Sequence, residues 1–395
     1  MPVVTLINAR RVDAATALAV EFRKGLSQSG FTEGKDVVVE YHWLDGHYEN
    51  LAAILNDAVR RRVAVIATPA NTPGSLAAKA ATSIIPVVFG VGEDPVALGL
   101  VASLARPGGN VTGINFFASE IEAKRLGLMH ELLPKAKRVA VLVNPANSKT
   151  ADATVKALRE SAPGLGLELL YFNASTAAEI DAAFAAIGNA KADALFIAPD
   201  GYFSSRGPQM ATLAARDRMP TSNFVSDGVA AGLLMSYGTS IPEVFRQAAV
   251  YTGSILKGAK PSDLPVLQST KFEFILNMQT ARSLGIDIDR ARPRRRGDRI
   301  AASFTAAQNA AFGTKRTSRH AQPMSAFGGK ADITPPCADA KVDHVVNNGL
   351  YDKEIADKLG HTPLGHRQKE LHALRTSAEY RAHYPFCTKP RSAGV

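Results

Sequence analysis

Short apolar runs rich in Val and Ile alternate, over the first 288 residues, with longer stretches in which Ala and Leu recur at helical spacing. Val3–Ile7 precedes an amphipathic segment over Ala14–Gln28, Asp36–Tyr41 precedes Leu51–Arg62, and Val63–Ala67 precedes Gly74–Thr82. Pro86–Phe89 then precedes a segment over Val96–Leu104 that reads as a further helix, and Val111–Gly113 ends the series. A β-branched run bounded by Pro, Asn and Gly reads as a buried strand, and a 3.6-residue apolar period as a helix packed on it. Repetition of that pair predicts βα units in a mostly parallel sheet.

The same pattern restarts at Arg138–Val143. Strands are predicted over Leu167–Phe172, Ala194–Ala198 and Thr221–Val225, with helices over Ala151–Ser161, Ala177–Ile187 and Pro208–Arg218. Leu233–Tyr237, a helix over Pro242–Leu256, a strand over Lys271–Met278 and a helix over Gln279–Leu284 remain. The expected fold is α/β with two Rossmann-like lobes. Lobe 1 spans 1–114 and is completed by about 238–262; lobe 2 spans 115–232 and is completed by about 263–288. Late elements that cross back join the lobes by several strands, which suits a hinge.

Charge separates this body from the C-terminal tail. Residues 1–288 carry 27 Lys and Arg against 26 Asp and Glu, whereas residues 289–395 carry 19 against 10 and hold both cysteines, Cys337 and Cys387. The formal charge of +10 therefore belongs almost wholly to the tail, and the nucleic-acid partner that it suggests is not expected of the body. Residues 301–345 lack periodicity and are rich in small and polar residues, so the tail reads as largely disordered. Its Gly349–Gly360 segment resembles the opening of a helix-turn-helix, but Thr362-Pro363-Leu364-Gly365 interrupts the second helix. No run of 18 apolar residues occurs, and the Met-Pro-Val-Val start reads as a strand instead of an export signal.

In open parallel sheets, ligands gather beyond the carboxyl ends of the strands, where loops meet helix N-termini. That rule selects the loops carrying Asn8; Thr68, Ala70, Asn71 and Thr72; Gly92 and Asp94; Asn144 and Asn147; Asp200 and Tyr202; and Asn223 and Asp227. Each of these residues is also an ordinary capping or turn residue. As a set, drawn from two similar lobes, they offer amide, hydroxyl and carboxylate partners to one small polar ligand, with Tyr202 available to stack on it. No catalytic, cofactor-binding or metal-binding constellation is expected. Gly90-Val91-Gly92 lacks the third glycine of a dinucleotide loop, His42 and His47 sit at loop spacing, and the body holds no thiol nucleophile.

The runs FRKGLSQSGFTEGKDVVVEY, AAKAATSIIPVVFGVGEDPVALGLVASLARPGGNVTG, AVLVNPANS and GLLMSYG with VYTGSILKGAKPSDLPV resemble the substrate-binding proteins of ABC transporters. They are most similar to the branch related to tryptophan- and tyrosine-binding proteins, over residues 3–287 in order. The resemblance implies the type I periplasmic binding protein fold with a three-stranded hinge, and an importer component that closes its lobes on a small organic solute. Aromatic amino acids or related compounds are the implied class, ABC permease subunits the implied partner, a monomer the implied state, and the membrane is touched only through the permease. By position it carries over the loop residues named above other than Tyr202 and places Asn115 and Asp227 near the crossings. A two-lobed enzyme on a small acid or sugar, and a cytosolic effector-binding regulator, are the alternatives.

Two departures stand out. The family is exported to the periplasm, whereas this chain begins at its first strand, which would leave it cytoplasmic if that start is correct. Relatives end soon after Leu-Gly-Ile with a segment like PPTLLARADEVIE. Codons chosen within degeneracy for its Ala-Arg-Ala-Asp-Glu-Val-Ile-Glu, read from the third base, encode Pro293 to Arg299, so a frameshift before Pro293 is the expected origin of the tail.

Overall fold

The computed structural model describes residues 1–269, 272–287 and 299–303, without the side chains of residues 119–120 and 299–303. Both lobes lie within one unit of the chain, Met1–Ala301. The first sheet contains β1 (Val3–Asn8), β2 (Val38–Trp43), β3 (Val65–Thr68), β4 (Val87–Val91), β5 (Val111–Asn115) and β11 (Leu267–Gln268), in the order β11-β5-β4-β3-β1-β2. Every pairing in it is parallel. The second contains β6 (Arg138–Val143), β7 (Glu168–Asn173), β8 (Ala194–Ile197), β9 (Thr221–Asn223), β10 (Met235–Thr239), β12 (Phe272–Asn277) and β13 (Arg299–Ser303), in the order β13-β12-β10-β9-β8-β6-β7. There β12 runs antiparallel to β10.

Alternation along each strand sends residues to two faces, and helices cover both. In lobe 1, Val4, Leu6, Val65, Ala67 and Val88 face α1 (Val12–Gln28) and α10 (Ile241–Leu256), whose Phe22, Leu26 and Phe245 are fully buried. Ile7, Ile66, Val87 and Phe89 face α2 (Leu51–Arg61) and α3 (Thr72–Ala81). In lobe 2, Val139, Val141 and Phe196 share the core of α4 (Ala118–Leu132) and α5 (Ser148–Ser161). Ala140, Leu142, Leu195 and Ile197 share that of α6 (Ala177–Asn189) and α8 (Gly207–Arg216). Central strands buried on both faces are what parallel βα units require, so the predicted fold class holds.

Three crossings join the lobes: β5 into α4, β10 into α10, and β11 into β12. Four details differ from the sequence reading. The helix expected over Val96–Leu104 is a series of turns; Gly99 enters the left-handed region at φ 71° after a single turn, and Leu100 N–H bonds to Pro95 C=O. Helix α4 had no counterpart in the pattern, because its buried face carries Glu122 and Arg125 where apolar residues would mark it. Short helices α7 (Gly201–Ser205) and α9 (Ser226–Ala230) were not expected, and α11 (Met278–Ser283) falls where one was. Strand β11 pairs with β5 of lobe 1, although residues from 263 onward were assigned to lobe 2. Cys337, Cys387, the arginine run and the rest of the expected tail lie outside the described residues; its described stretch, Arg299–Ser303, is an edge strand.

Candidate functional site

The loops at the carboxyl ends of both sheets converge on one cavity between the lobes, of about 40 Å³ in this closed form. Lobe 1 supplies Arg10, Ala70, Thr72, Gly92 and Glu93; lobe 2 supplies Asn147, Thr150, Asp200, Ser204 and Phe224; Phe116 and Ile241 come from the crossings. Local structure explains how each polar group arrives there. Asn8 ends β1, donates to Pro69 C=O at 2.6 Å and accepts from Arg10 N–H at 3.0 Å, which folds the loop so that Arg10 turns inward. Asn71 caps α3 by accepting from Gly74 N–H at 3.1 Å, leaving Thr72 as its first residue with a hydroxyl facing the cavity. Ala70 takes a left-handed φ of 52°, uncommon for a residue with a side chain and found at strained functional turns.

Asp200 organises the lobe 2 wall. It accepts from Phe203 N–H at 3.0 Å as the cap of α7, from Asn144 Nδ2 at 3.2 Å, from Asn147 Nδ2 at 3.1 Å, and from Tyr48 of lobe 1 at 3.3 Å. Burial pushes its carboxyl up, against the pull of these donors. The same burial, with Asp200 alongside, drives the Tyr48 phenol well above its ordinary range.

Glu93 lies on the seam instead. Its Oε2 accepts from Thr72 of lobe 1 at 2.7 Å, and its Oε1 from Thr150 of lobe 2. The Thr150 hydroxyl also lies 2.9 Å from Asn147 Oδ1, and its one proton serves a single acceptor at a time. Further bonds cross between the lobes: Arg10 to Asp227 at 2.7 Å, Arg206 to Asp45 at 3.1 Å, and Arg11 N–H to Ser205 Oγ at 2.9 Å. At Gly201 an added Cβ would come within 2.9 Å of the Ala9 Cβ, so the two walls touch there. The conformation is closed. Phe116 and Phe224 meet across the cavity, ring centroids 5.8 Å apart and tilted by 44°.

This architecture has relatives. The family model for ABC transporter substrate binding proteins matches residues 5–291. The chain belongs to the ABC transporter substrate-binding protein family. Among curated relatives it is 29% identical over 265 residues to a tyrosine-binding protein of Clostridioides difficile, covering 67% of this chain and 75% of that one. Among solved structures it is similar to a conserved domain protein from Vibrio cholerae, with 28% identity and a TM-score of 0.66 over 72% of this chain and 95% of the other. A ligand-free, open substrate-binding protein with adhesive properties from Clostridium difficile gives 25% and 0.52, over 77% and 100%. A Streptococcus domain solved with L-Trp gives 23% and 0.66 over 76% and 99%, a likeness of fold.

In this substrate-binding protein the residues singled out from sequence divide into two groups and three that belong to neither. Ala70, Thr72, Gly92, Asn147 and Asp200 line the cavity. Asn8, Thr68, Asn71, Asn115, Asn144 and Asn223 stand just behind it: Thr68 bonds Ser75, Asn115 takes Phe117 N–H at the first crossing, and Asn223 takes Phe224 N–H. These shape the loops. Asp94 is exposed and caps its own turn through Val96 N–H. Tyr202 is buried against Phe203 and Gly46, beneath Arg206, and does not face the cavity. Asp227 sits on α9, half exposed, and pairs with Arg10 across the cleft. Arg10, Glu93, Phe116, Thr150, Ser204 and Phe224 were absent from the sequence-derived set, because nothing in a short polar loop tells which neighbour turns inward.

Next to the site lies a buried ion pair. Glu122 and Arg125 of α4 are both fully buried, 2.7 Å apart, with Arg125 also donating to Ile197 C=O and lying over the Phe196 ring. Burial pushes the Glu122 carboxyl up to about 7 despite Arg125, and the charge of Glu93 adds to the rise.

Proposed function

We propose that this chain is the solute receptor of an ABC importer, which closes its lobes on an aromatic amino acid or a close relative and hands it to a permease outside the cytoplasm. The observation that carries the reading is a cavity walled by both lobes, with two facing phenylalanines and polar groups drawn from each side. The tyrosine-binding relative supports the aromatic class. Only ligand contacts that exist in the closed state and not the open one can drive closure, and groups from both lobes supply them. The receptor acts as a monomer, binds without chemistry, and meets the membrane only through its permease. Among the described residues no cluster of His, Cys, Asp or Glu could hold a metal ion, and no helix is long and apolar enough to cross a membrane.

A thermal-shift screen of the full chain against L-tyrosine, L-tryptophan, L-phenylalanine and non-aromatic solutes tests this. A ligand at 100 times its Kd adds about 2.7 kcal/mol, so an aromatic amino acid should raise the unfolding midpoint by several degrees. No shift with any solute would overturn the reading.

A further inference from the structure

Charge and proton counting at the cavity constrain what enters it. The charged groups on its wall are Arg10, Glu93 and Asp200. Arg10 is already neutralised by Asp227 at 2.7 Å. Asp200 has four donors in place. Glu93 is buried, 7% exposed, and its partners are two neutral hydroxyls; among the described residues it forms no salt bridge. Those hydroxyls carry two protons, while three oxygens compete for them: Glu93 Oε1, Glu93 Oε2 and Asn147 Oδ1. One acceptor is left short and one buried negative charge lacks a counter-ion, a costly arrangement without a partner.

On the reading that this cavity is the solute site, we infer that it selects its ligand through an ammonium group received by Glu93, and that a ligand carboxylate is dispensable. A primary ammonium brings the missing positive charge and three N–H donors, enough for Glu93 and Asn147 together. The ligand's apolar body then lies against Phe116 and Phe224. Among the charged groups of the wall, a carboxylate would meet only a guanidinium whose charge Asp227 already balances. The class is therefore aryl-alkyl amines, of which aromatic amino acids are one kind, and deaminated aromatic acids are excluded.

Titration calorimetry of the full chain with L-tyrosine, tyramine and 3-(4-hydroxyphenyl)propionate tests this. Tyramine should bind within about tenfold of L-tyrosine, and the propionate at least a hundredfold more weakly. Glu93→Gln, checked by circular dichroism for native fold, should weaken tyramine at least tenfold without weakening the propionate. The inference is overturned if the propionate matches tyramine on the native chain, a comparison that needs no variant, or if Glu93→Gln leaves tyramine within twofold. Should all three fail while aliphatic primary amines bind, the aromatic reading falls and the ammonium requirement stands. If no amine of either kind binds, both fall.

Discussion

The two buried carboxylates of the cleft, Asp200 and Glu93, are held in opposite ways. Asp200 belongs to lobe 2 and is saturated by a backbone N–H, two asparagine amides and a tyrosine hydroxyl. Glu93 belongs to lobe 1 and is held by one hydroxyl from each lobe. A carboxylate surrounded by fixed donors is part of the scaffold, and one that waits on the seam is part of the binding event. The same residue chemistry thus separates into a stabilising and a sensing role according to how many donors surround it and how many of them come from its own lobe.

Four substitutions test that division, from the largest expected effect downward. Asp200→Ala removes a helix cap and leaves three side-chain donors unpaired, so urea unfolding should show a loss of about 3 kcal/mol; a loss under 1 kcal/mol would place Asp200 outside the scaffold. Glu122 provides the pH contrast. Its folded value of about 7 lies above the ordinary 4.5, so the folded state holds its proton more tightly. That contribution to stability is full below about pH 4.5 and falls as pH rises to about 7, by about 3 kcal/mol. Glu122→Gln should flatten that segment of the stability-pH curve, and an unchanged slope would remove Glu122 as its source. Glu93→Gln should leave unfolding within about 1 kcal/mol of the native chain while weakening amine binding, since glutamine keeps contact with both hydroxyls. Asp227→Asn breaks a cross-lobe pair whose acid is half exposed, so it should cost under about 1 kcal/mol of stability and show chiefly in ligand binding.

Most of the fold was legible because its strands are β-branched runs buried on both faces and its helices keep one apolar stripe. Where the stripe is broken by function or by a buried ion pair, the pattern fails: α4 hides Glu122 and Arg125, and Val96–Leu104 has helical spacing but a glycine that turns the chain left-handed. The site was legible as a set of loops and not as side chains. Asn8, Asn71, Asn144 and Asn223 were selected as ligand groups, yet they bond to backbone or to Asp200 and hold the loops in place. Glu93 and Asp94 are neighbours of like charge in one turn, and only three-dimensional packing buries the first and exposes the second.

The central claim, that the two lobes close on a solute held between them, is tested most directly by the distance between the lobes. Spin labels at Ala53 of α2 and Ala182 of α6, both exposed, would be introduced with Cys337 and Cys387 replaced. Pulsed electron resonance should then show a broad distribution without ligand that collapses to a single shorter distance with L-tyrosine or tyramine. A distribution that is the same with and without a ligand shown to bind would contradict the account.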